Sequence, residues 1–220
     1  FVDRTYLLTG IAVFALVLLV FNLKKVKRIF IILFAGAAVA SVVISVDYVL
    51  NDMLKPHQQN RIKALINPGA DPLGYGWNVT QSKVAIGSGG LAGKGFLNGT
   101  QTNLGFVPEQ STDFIFCTLG EEHGWLGSFL LISLFIVLFM RLVFLAERQK
   151  GRFGRVYGYS VVSILFVHFV VNVGMTIGLF PVIGIPLPFL SYGGSSLWAF
   201  TILLFVFLKV DAHRMQVLER

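Results

Sequence analysis

Residues 122–141 read EHGWLGSFLLISLFIVLFMR, an apolar run whose charged residues stand at its two ends. A helix needs about 20 predominantly apolar residues to cross roughly 30 Å of hydrocarbon, so this stretch predicts a membrane-spanning helix. The composition agrees, because 55% of the 220 residues are hydrophobic, 13% are charged and the mean hydropathy is +0.75. These values exclude a water-soluble domain and indicate a membrane protein.

Four further apolar stretches extend this plan, at residues 6–23, 29–46, 158–179 and 197–208. The last is long enough only if it extends backwards through the Pro- and Gly-rich residues 186–195, part of which must then be irregular. The sequence therefore predicts an all-α multi-pass membrane protein with about five transmembrane helices. Two are expected in residues 1–46, followed by a long external segment over 47–116, then three helices and a tail over 117–220.

Lys and Arg residues collect on one side of this plan. The links 24–28 and 141–157 and the tail 209–220 together carry a net charge of +9, and the other side carries −2. By the positive-inside rule the N-terminus and residues 47–116 lie outside, and the C-terminus is cytoplasmic. The overall charge of +7 is thus a topology signal, and no nucleic-acid partner is expected, although the basic link 24–28 could also contact anionic lipid.

Two further features are not expected. The chain begins at Phe1, and its first apolar run lacks a small-residue cleavage site, so no signal peptide is expected. A single cysteine, Cys117, excludes a disulfide framework and a multi-cysteine metal site.

The external segment 47–116 is too long for a simple connector and is expected to be functional. Its residues 69–105 contain ten of the 23 glycines, and a Gly-rich turn can cradle an anion beside Lys94. The spacing is not that of a P-loop, and a flexible turn with a solvated lysine is the competing interpretation. Residues 59–66 predict a short amphipathic helix. Its Arg61 could contact lipid phosphates, or the helix could be a purely structural element of the protein surface.

The stretch 108–116 reads PEQSTDFIF and predicts the start of a helix. Ser111 or Thr112 can cap that helix, and Asp113 would then lie in its first turn, near the positive end of the helix dipole. The functional alternative is that Asp113, beside a low-dielectric span, has a raised pKa and acts as a general base. Just downstream, residues 121–123 read EEH, and these side chains could bind a divalent cation as a cofactor. Against this, neighbouring side chains on a helix point about 100° apart.

Polar residues recur in the later spans. His168, Asn172 and Thr176 share one helix face and must contact protein or a wet cavity, because unpaired polar groups are costly in a bilayer. The uncharged stretch 180–196, with three prolines and three glycines in residues 181–194, predicts irregular backbone. Ser191 and Tyr192 would line an outward-facing pocket there, or belong to a plain turn before the last helix.

These motifs resemble a known family in five ordered blocks. The blocks are QSKVAIGSGGL (81–91) with GTQ (99–101), PEQSTDFIF (108–116), GEEHG (120–124), NVGM (172–175), and PLPFLSYGGS (186–195). Together they are similar to the SEDS proteins of bacterial envelope growth. The residues of the first block are closer to the elongation branch, RodA, than to the division branch, FtsW. The chain departs from the family pattern at Ser111, where the family often has His, and at His123, where it has an apolar residue.

The resemblance implies about ten spans in the whole protein, of which this chain is the C-terminal half. It implies a peptidoglycan glycosyltransferase of the bacterial inner membrane that polymerises lipid II during cell-wall elongation, rod-shape maintenance and division. The expected partners are the lipid II substrate, a class B penicillin-binding protein transpeptidase, membrane proteins of the elongation complex and the lipid bilayer. In the family the Asp of the Pro-Glu-x-x-Thr-Asp-Phe block is the essential carboxylate, which is Asp113 here.

The expected chemistry is attack of a sugar hydroxyl on the anomeric carbon of a lipid-linked disaccharide, with inversion. Asp113 would take the hydroxyl proton, and cations would stabilise the leaving pyrophosphate. The substrate-binding candidates are Lys83, Lys94, Arg61, Glu109, Thr112, Ser191 and Tyr192. A lipid II flippase or transporter, using the polar stripe on the fourth span, and a scaffold that activates a partner enzyme remain the alternatives.

Overall fold

A computed structural model describes residues 4–22, 26–66 and 75–213, and all regular structure in these ranges is helical. The helices are α1 (Arg4–Asn22), α2 (Val26–Tyr48), α3 (Pro56–Ile66), α4 (Tyr75–Ser88), α5 (Thr100–Asn103), α6 (Ile115–Glu147), α7 (Arg152–Thr176) and α8 (Gly194–Ala212). A π-helical turn, Val49–Met53, continues α2. The chain divides into two compact units, Phe1–Asn60 and Arg61–Arg220.

The membrane plan predicted from the sequence is found in these helices. The described residues hold four helices that are long and apolar enough to cross a membrane, namely Arg28–Met53, α6, α7 and α8. The first predicted span is also helical, as the 19-residue α1. The predicted irregular backbone before the last span is present, because residues 177–193 separate α7 from α8 without a helix.

In the first unit α1 packs along α2. An apolar groove of about 580 Å³ lies between these two helices, and its lining includes small, aliphatic and aromatic residues such as Gly10, Ile32 and Phe14. At the end of the π turn, the side-chain amide of Gln59 donates to the backbone carbonyls of Asn51 and Leu54, at 2.9 and 3.1 Å. These bonds satisfy carbonyl groups that the end of a helix leaves free.

The second unit is built on α6, α7 and α8, with α4 packed against α6 and α7. Phe135 on α6 stacks on Phe169 on α7 with ring centroids 4.6 Å apart, and Leu165 and Phe207 are fully buried beside them. Such aromatic pairs contribute about 0.5–1.5 kcal/mol beyond their buried area. The three helices thus form one apolar core.

A polar cluster joins the α6–α7 link to the end of α8. The guanidinium of Arg148 donates to both carboxylate oxygens of the buried Asp211, and Gln149 Nε2 donates to Asp211 Oδ1 at 2.6 Å. A buried carboxylate is costly unless it is paired and hydrogen-bonded, and these donors meet that need. The basic link predicted from the sequence therefore also has a structural role.

Helix α6 is broken at Gly124, whose φ of 64° and ψ of −157° are not helical. The break frees backbone groups, and residues 90–95 bind them. The N–H groups of Trp125 and Leu126 donate to the carbonyls of residues 90 and 91 at 2.9 and 3.1 Å. In return, the N–H groups of residues 94 and 95 donate to the carbonyls of Glu121 and Glu122 at 3.1 and 2.9 Å. The loop is thus fixed to the helix by main-chain bonds in both directions.

The predicted start of this helix is wrong in detail. Helix α6 begins at Ile115 with Phe114 as its N-cap residue, and that cap makes no side-chain hydrogen bond, so neither Ser111 nor Thr112 caps it. The turn before the helix is organised by Glu109, which has a φ of 49°. Its carbonyl oxygen accepts the N–H groups of residues 112, 113 and 114 at 3.3, 3.0 and 3.2 Å. Backbone groups have replaced the expected side-chain cap.

Segment 47–116 is more helical than its glycine content indicates. The short helix predicted over 59–66 is confirmed by α3. Helix α4 was not foreseen, because it contains Gly76 and Gly87, and glycine weakens helices by roughly 0.5–1 kcal/mol relative to Ala. Burial of Val79, Ser82 and Ala85 along α4 offsets this cost through packing.

We expect Gly124→Ala to destabilise the protein by about 1–3 kcal/mol or more, because any other residue at this φ is strained. An added Cβ would also overlap the backbone nitrogen of Gly93. The matched control is Gly87→Ala, where a Cβ meets no atom within 4 Å, and which should be neutral or slightly stabilising. Thermal unfolding of the full-length variants in nanodiscs measures both, and equal melting temperatures for the two would contradict the account of the break.

Candidate active site

Asp113 lies in the turn directly before α6. It is half-buried, whereas the next residue, Phe114, is buried in a small core of its own with Val107 and Cys117. The hydrogen bonds to the Glu109 carbonyl fix the backbone of this turn. The carboxylate of Asp113 is therefore carried on a rigid support and keeps access to solvent.

The irregular loop 177–193 contacts this turn. The side-chain amide of Asn172 on α7 donates to the backbone carbonyl of Asp113 at 2.9 Å and to that of Ile185 at 2.7 Å. The backbone N–H of Tyr192 donates to the Ser111 carbonyl at 2.8 Å. Two hydrogen-bonded points thus tie the loop to the turn that carries Asp113.

The loop approaches the carboxylate itself at Gly184. This residue has a φ of +76°, and a methyl group built on it would stand 3.0 Å from Asp113 Oδ2. Glycine at this position gives the carboxylate space that any side chain would take. Neither Gly184 nor the clamp by Asn172 was assigned to the site from the sequence. The polar stripe on the fourth span was the only signal for the clamp.

Burial raises the pKa of Asp113, and the negative charge of nearby Glu109 raises it further. A hydrogen bond with the Thr112 hydroxyl acts in the opposite direction. The sequence led us to expect a raised pKa from membrane proximity, and the direction agrees. The Thr112 hydroxyl also donates to the Glu109 carboxylate at 3.1 Å, so Glu109 and Thr112 form the immediate polar surroundings of the base candidate.

Among the candidate cations, Lys83 contacts loop 177–193, the loop that also approaches Asp113. It is exposed on α4, and its terminal Cε and Nζ lie against Gly178, at the start of loop 177–193. Gly178 and Gly184 are six residues apart, so Lys83 and Asp113 contact one loop at points no more than about 22 Å apart. Arg61 lies half-buried on α3.

Lys94 has a different environment. Its ammonium group donates to Glu121 Oε1 at 2.7 Å, to Thr100 Oγ1 at 2.7 Å and to Ser88 Oγ at 2.8 Å. The side chain of Glu121 is fully buried, and its two oxygens also accept the backbone N–H groups of Gln101 and Thr102 at 2.9 and 3.0 Å. Lys94 therefore compensates a buried carboxylate, and a role for it toward substrate stays a prediction.

Ser191 and Tyr192 were predicted to line a pocket. Ser191 is buried, and its hydroxyl oxygen accepts the Leu187 N–H at 2.7 Å within the loop. The ring of Tyr192 is 80% exposed beside the Asp113 turn. Of the two, Tyr192 presents a surface to a ligand, whereas the Ser191 hydroxyl holds the shape of the loop.

The divalent cation left open by the sequence has no obvious ligand set. No group of three or more His, Cys, Asp or Glu side chains converges within residues 4–22, 26–66 and 75–213. Glu121 is engaged by Lys94, and the next two residues, Glu122 and His123, are buried and exposed respectively. These three residues therefore do not form a metal-binding cluster.

The sequence matches the family described as cell cycle protein, whose model is named for FtsW, RodA and SpoVE, over residues 4–216. It is 44% identical over 179 residues to the peptidoglycan glycosyltransferase MrdB of Escherichia coli (strain K12), which is 81% of this chain and 48% of the relative. It is 42% identical over 163 residues to the peptidoglycan glycosyltransferase RodA of Treponema pallidum (strain Nichols), 74% of this chain and 38% of the relative. It spans about half the length of the curated relatives it matches.

The fold is similar to that of a solved chain. The structure, "Structural coordination of polymerization and crosslinking by a peptidoglycan synthase complex", contains a chain that superposes with a TM-score of 0.60 at 28% sequence identity. The superposition covers 94% of this chain and 55% of the other.

We expect Asp113→Asn to stabilise the protein at neutral pH. A carboxyl whose pKa is raised by folding holds its proton more tightly in the folded state, so its ionisation above the folded pKa disfavours that state. Asn removes this cost. The melting temperature of the full-length Asn variant in nanodiscs should exceed that of the parent at neutral pH, and the gap should close as the pH falls toward about 3.9, the ordinary Asp value. A variant that melts lower at neutral pH would contradict the account.

Proposed function

Because the chain belongs to the cell cycle protein family of FtsW, RodA and SpoVE, the SEDS family that its motifs resemble, we propose that it carries the catalytic base of a peptidoglycan glycosyltransferase. The enzyme would polymerise lipid II into glycan strands during cell-wall elongation and so maintain cell shape. The similarity to relatives named peptidoglycan glycosyltransferase, at 44% and 42% identity, supports this activity. The observation that carries the proposal is the half-buried Asp113, whose pKa is raised, held open to solvent beneath Gly184.

In the proposed reaction a sugar hydroxyl attacks the anomeric carbon of a lipid-linked disaccharide. The new glycosidic bond forms as the bond to the pyrophosphate oxygen breaks, and the configuration inverts. Asp113 accepts the hydroxyl proton, a contribution of about 10²–10⁴-fold. A raised pKa makes the ionised carboxylate a stronger base.

The rigid support of Asp113 serves this step, because a general base must stand within hydrogen-bond distance of the proton it removes. Asn172 holds the Asp113 backbone from α7, and the Glu109 carbonyl holds it from the turn. The backbone N–H of Tyr192 donates to the Ser111 carbonyl, and its exposed ring would offer a flat surface for a sugar beside the Asp113 turn. Glu109 and Thr112 would act mainly by setting the electrostatics of Asp113.

The leaving pyrophosphate requires cationic stabilisation, and we assign Lys83 to it before Arg61. Lys83 is exposed and contacts the same loop as Asp113. Lys94 already donates to Glu121, Thr100 and Ser88, so we assign it to the support of the external segment.

In this proposal residues 47–116 lie outside the cytoplasmic membrane and the C-terminus lies in the cytoplasm, as the distribution of Lys and Arg favours. The protein would reside in the bacterial inner membrane and act with a class B penicillin-binding protein transpeptidase and the other membrane proteins of the elongation complex. The fold similarity to a chain of a peptidoglycan synthase complex supports such a partner.

The flippase alternative depends on a polar pathway along α7. Asn172 donates to two backbone carbonyls, Thr176 donates to the Val173 carbonyl, and His168 Nδ1 lies 3.4 Å from the Pro186 carbonyl. The donor groups of Asn172 and Thr176 thus bind backbone carbonyls of the protein itself. Residues 158–208 contain no acidic or basic residue other than His168. A stripe used for internal contacts favours the polymerase over a transport pathway.

The base assignment is tested by Asp113→Asn in the full-length protein. We expect glycan polymerisation from purified lipid II to be lost, with no loss of folding. The companion variant is Glu109→Gln, which removes a negative charge that raises the pKa of Asp113. The acid limb of its kcat/KM profile should therefore move to lower pH. Polymerisation by the Asn variant at the parental rate would exclude Asp113 as the base, and transport of labelled lipid II without polymer would favour the flippase.

The cation assignment is tested by comparing three Lys→Met variants. Lys83→Met should lower kcat/KM by about 10²-fold, the usual cost of removing one group that stabilises a developing charge. Lys63→Met, at an exposed lysine on α3, is the control and should leave the rate unchanged. Lys94→Met should lower the melting temperature, because it leaves Glu121 buried without its cation. Equal rates for the variants at positions 83 and 63 would contradict the role of Lys83.

A further inference from the structure

Residues 89–106 form an apolar loop whose hydrophobic side chains point outward. Leu91 is 75% exposed, Phe96 is 71% exposed, and Leu97 and Leu104 are nearly as open. Isolated apolar residues on a surface need no explanation, but a run of them in one external loop marks an interaction site. Glycines at 89, 90, 93, 95, 99 and 105 separate these side chains.

The surface of this apolar loop is free of uncompensated charge. Lys94 is the only charged residue between positions 89 and 108, and its ammonium group turns inward to the buried Glu121 carboxylate at 2.7 Å. Two hydroxyl groups, on Ser88 and Thr100, accept the remaining hydrogen bonds of the ammonium group. The ion pair compensates the buried Glu121 carboxylate, and it also leaves the loop without an unpaired charge, as contact with a low-dielectric medium requires.

The outward position of Leu97 is imposed by the backbone. Leu97 has a φ of 60°, a left-handed conformation that costs free energy in a bulky residue other than glycine. Two hydrogen bonds stabilise this part of the loop, from Asn103 Nδ2 to the Leu97 carbonyl at 2.6 Å and from the Asn98 N–H to the Gly95 carbonyl at 3.1 Å. The loop therefore adopts a conformation of higher free energy at Leu97, and the apolar side chain of this residue is exposed.

The apolar loop is continuous with the exposed apolar face of α6. Its main-chain bonds to the break in α6 place residues 90 and 91 beside Trp125 and Leu126, both exposed. Trp125 stacks on Phe129 at 5.3 Å between ring centroids, and the exposed apolar side chains continue along the helix through Leu130 and Leu134. Helix α6 is one of the four helices long and apolar enough to cross a membrane, and Trp is enriched where such helices meet the headgroups.

We propose that the apolar loop 89–106 is immersed in the lipid bilayer at the membrane–water interface, where Leu91, Phe96 and Leu97 contact acyl chains. The Lys94–Glu121 ion pair makes this immersion feasible, because it removes the loop's only charge from its surface. The loop leads directly into the turn that carries Asp113, so its immersion would fix the depth of that turn. The proposal does not depend on the reaction that Asp113 performs.

Site-directed spin labelling of the full-length protein in lipid nanodiscs tests the proposal. Leu91→Cys and Leu97→Cys place a nitroxide on the loop at exposed positions, and the native Cys117 is fully buried, which labelling of the parent protein checks. Leu134→Cys on the exposed face of α6 provides the lipid standard, and Lys150→Cys in the exposed α6–α7 link provides the water standard. Collision rates are measured with oxygen, which concentrates in lipid, and with a water-soluble nickel chelate. Melting temperatures equal to that of the parent establish that each variant is folded.

We expect the labels at 91 and 97 to collide more with oxygen than with the nickel chelate, as the label at 134 does. Greater collision with the chelate, as at 150, would overturn the proposal and leave the loop in water, available to a protein partner. Low collision with both reagents would also overturn it, because other parts of the protein would then cover the loop. If the two labels disagree, the loop as a whole is not immersed and the proposal fails.

Discussion

The side-chain amide of Asn172 donates one hydrogen to the carbonyl of Asp113 and the other to the carbonyl of Ile185. These two bonds run from near the C-terminal end of α7 to the two irregular segments that form the candidate site. Asn172 is fully buried, and hydrogen bonds in such surroundings are stronger than in water, while a lost partner is correspondingly costly. The position of the Asp113 carboxylate therefore depends on an interaction that lies below it, outside any contact with a substrate.

A second constraint acts through segment 47–116. The break of α6 at Gly124 releases backbone groups that bind residues 90–95, and the buried Glu121 carboxylate accepts hydrogen bonds from Lys94, Gln101 and Thr102 nearby. This segment is thus held at two places, at the helix break and at the Asp113 turn. In the proposed reaction, a base supported in this way would lose little entropy when a substrate binds.

Much of the fold follows from hydrophobic patterning, and the details that matter to the site do not. The spans of α6, α7 and α8 were predictable, because apolar runs of this length have few stable alternatives in a membrane protein. The start of α6 was not, since it depends on the backbone of Glu109 at a φ of 49° and not on a capping side chain. Helix α4 was missed because burial against α6 and α7 offsets the low helix propensity of its glycines.

The candidate site, like the fold, was predictable from the sequence only in part. Asp113 was identified through the family resemblance, and the direction of its pKa shift agrees with the expectation. From the sequence, Lys94 was a candidate anion-binding group or a solvated lysine in a flexible Gly-rich turn. Its partner Glu121 is 27 residues away, and no local pattern joins them.

The central claim is that Asp113 accepts the proton of the attacking hydroxyl. The most direct measurement is the infrared titration of the Asp113 carboxyl in the full-length protein, isolated by subtracting the spectrum of the Asn variant, beside the pH dependence of the rate of lipid II polymerisation. The account predicts one shared pKa, raised above the ordinary aspartate value. A carboxyl that titrates at or below that ordinary value, or a rate that does not follow its ionisation, would contradict the account.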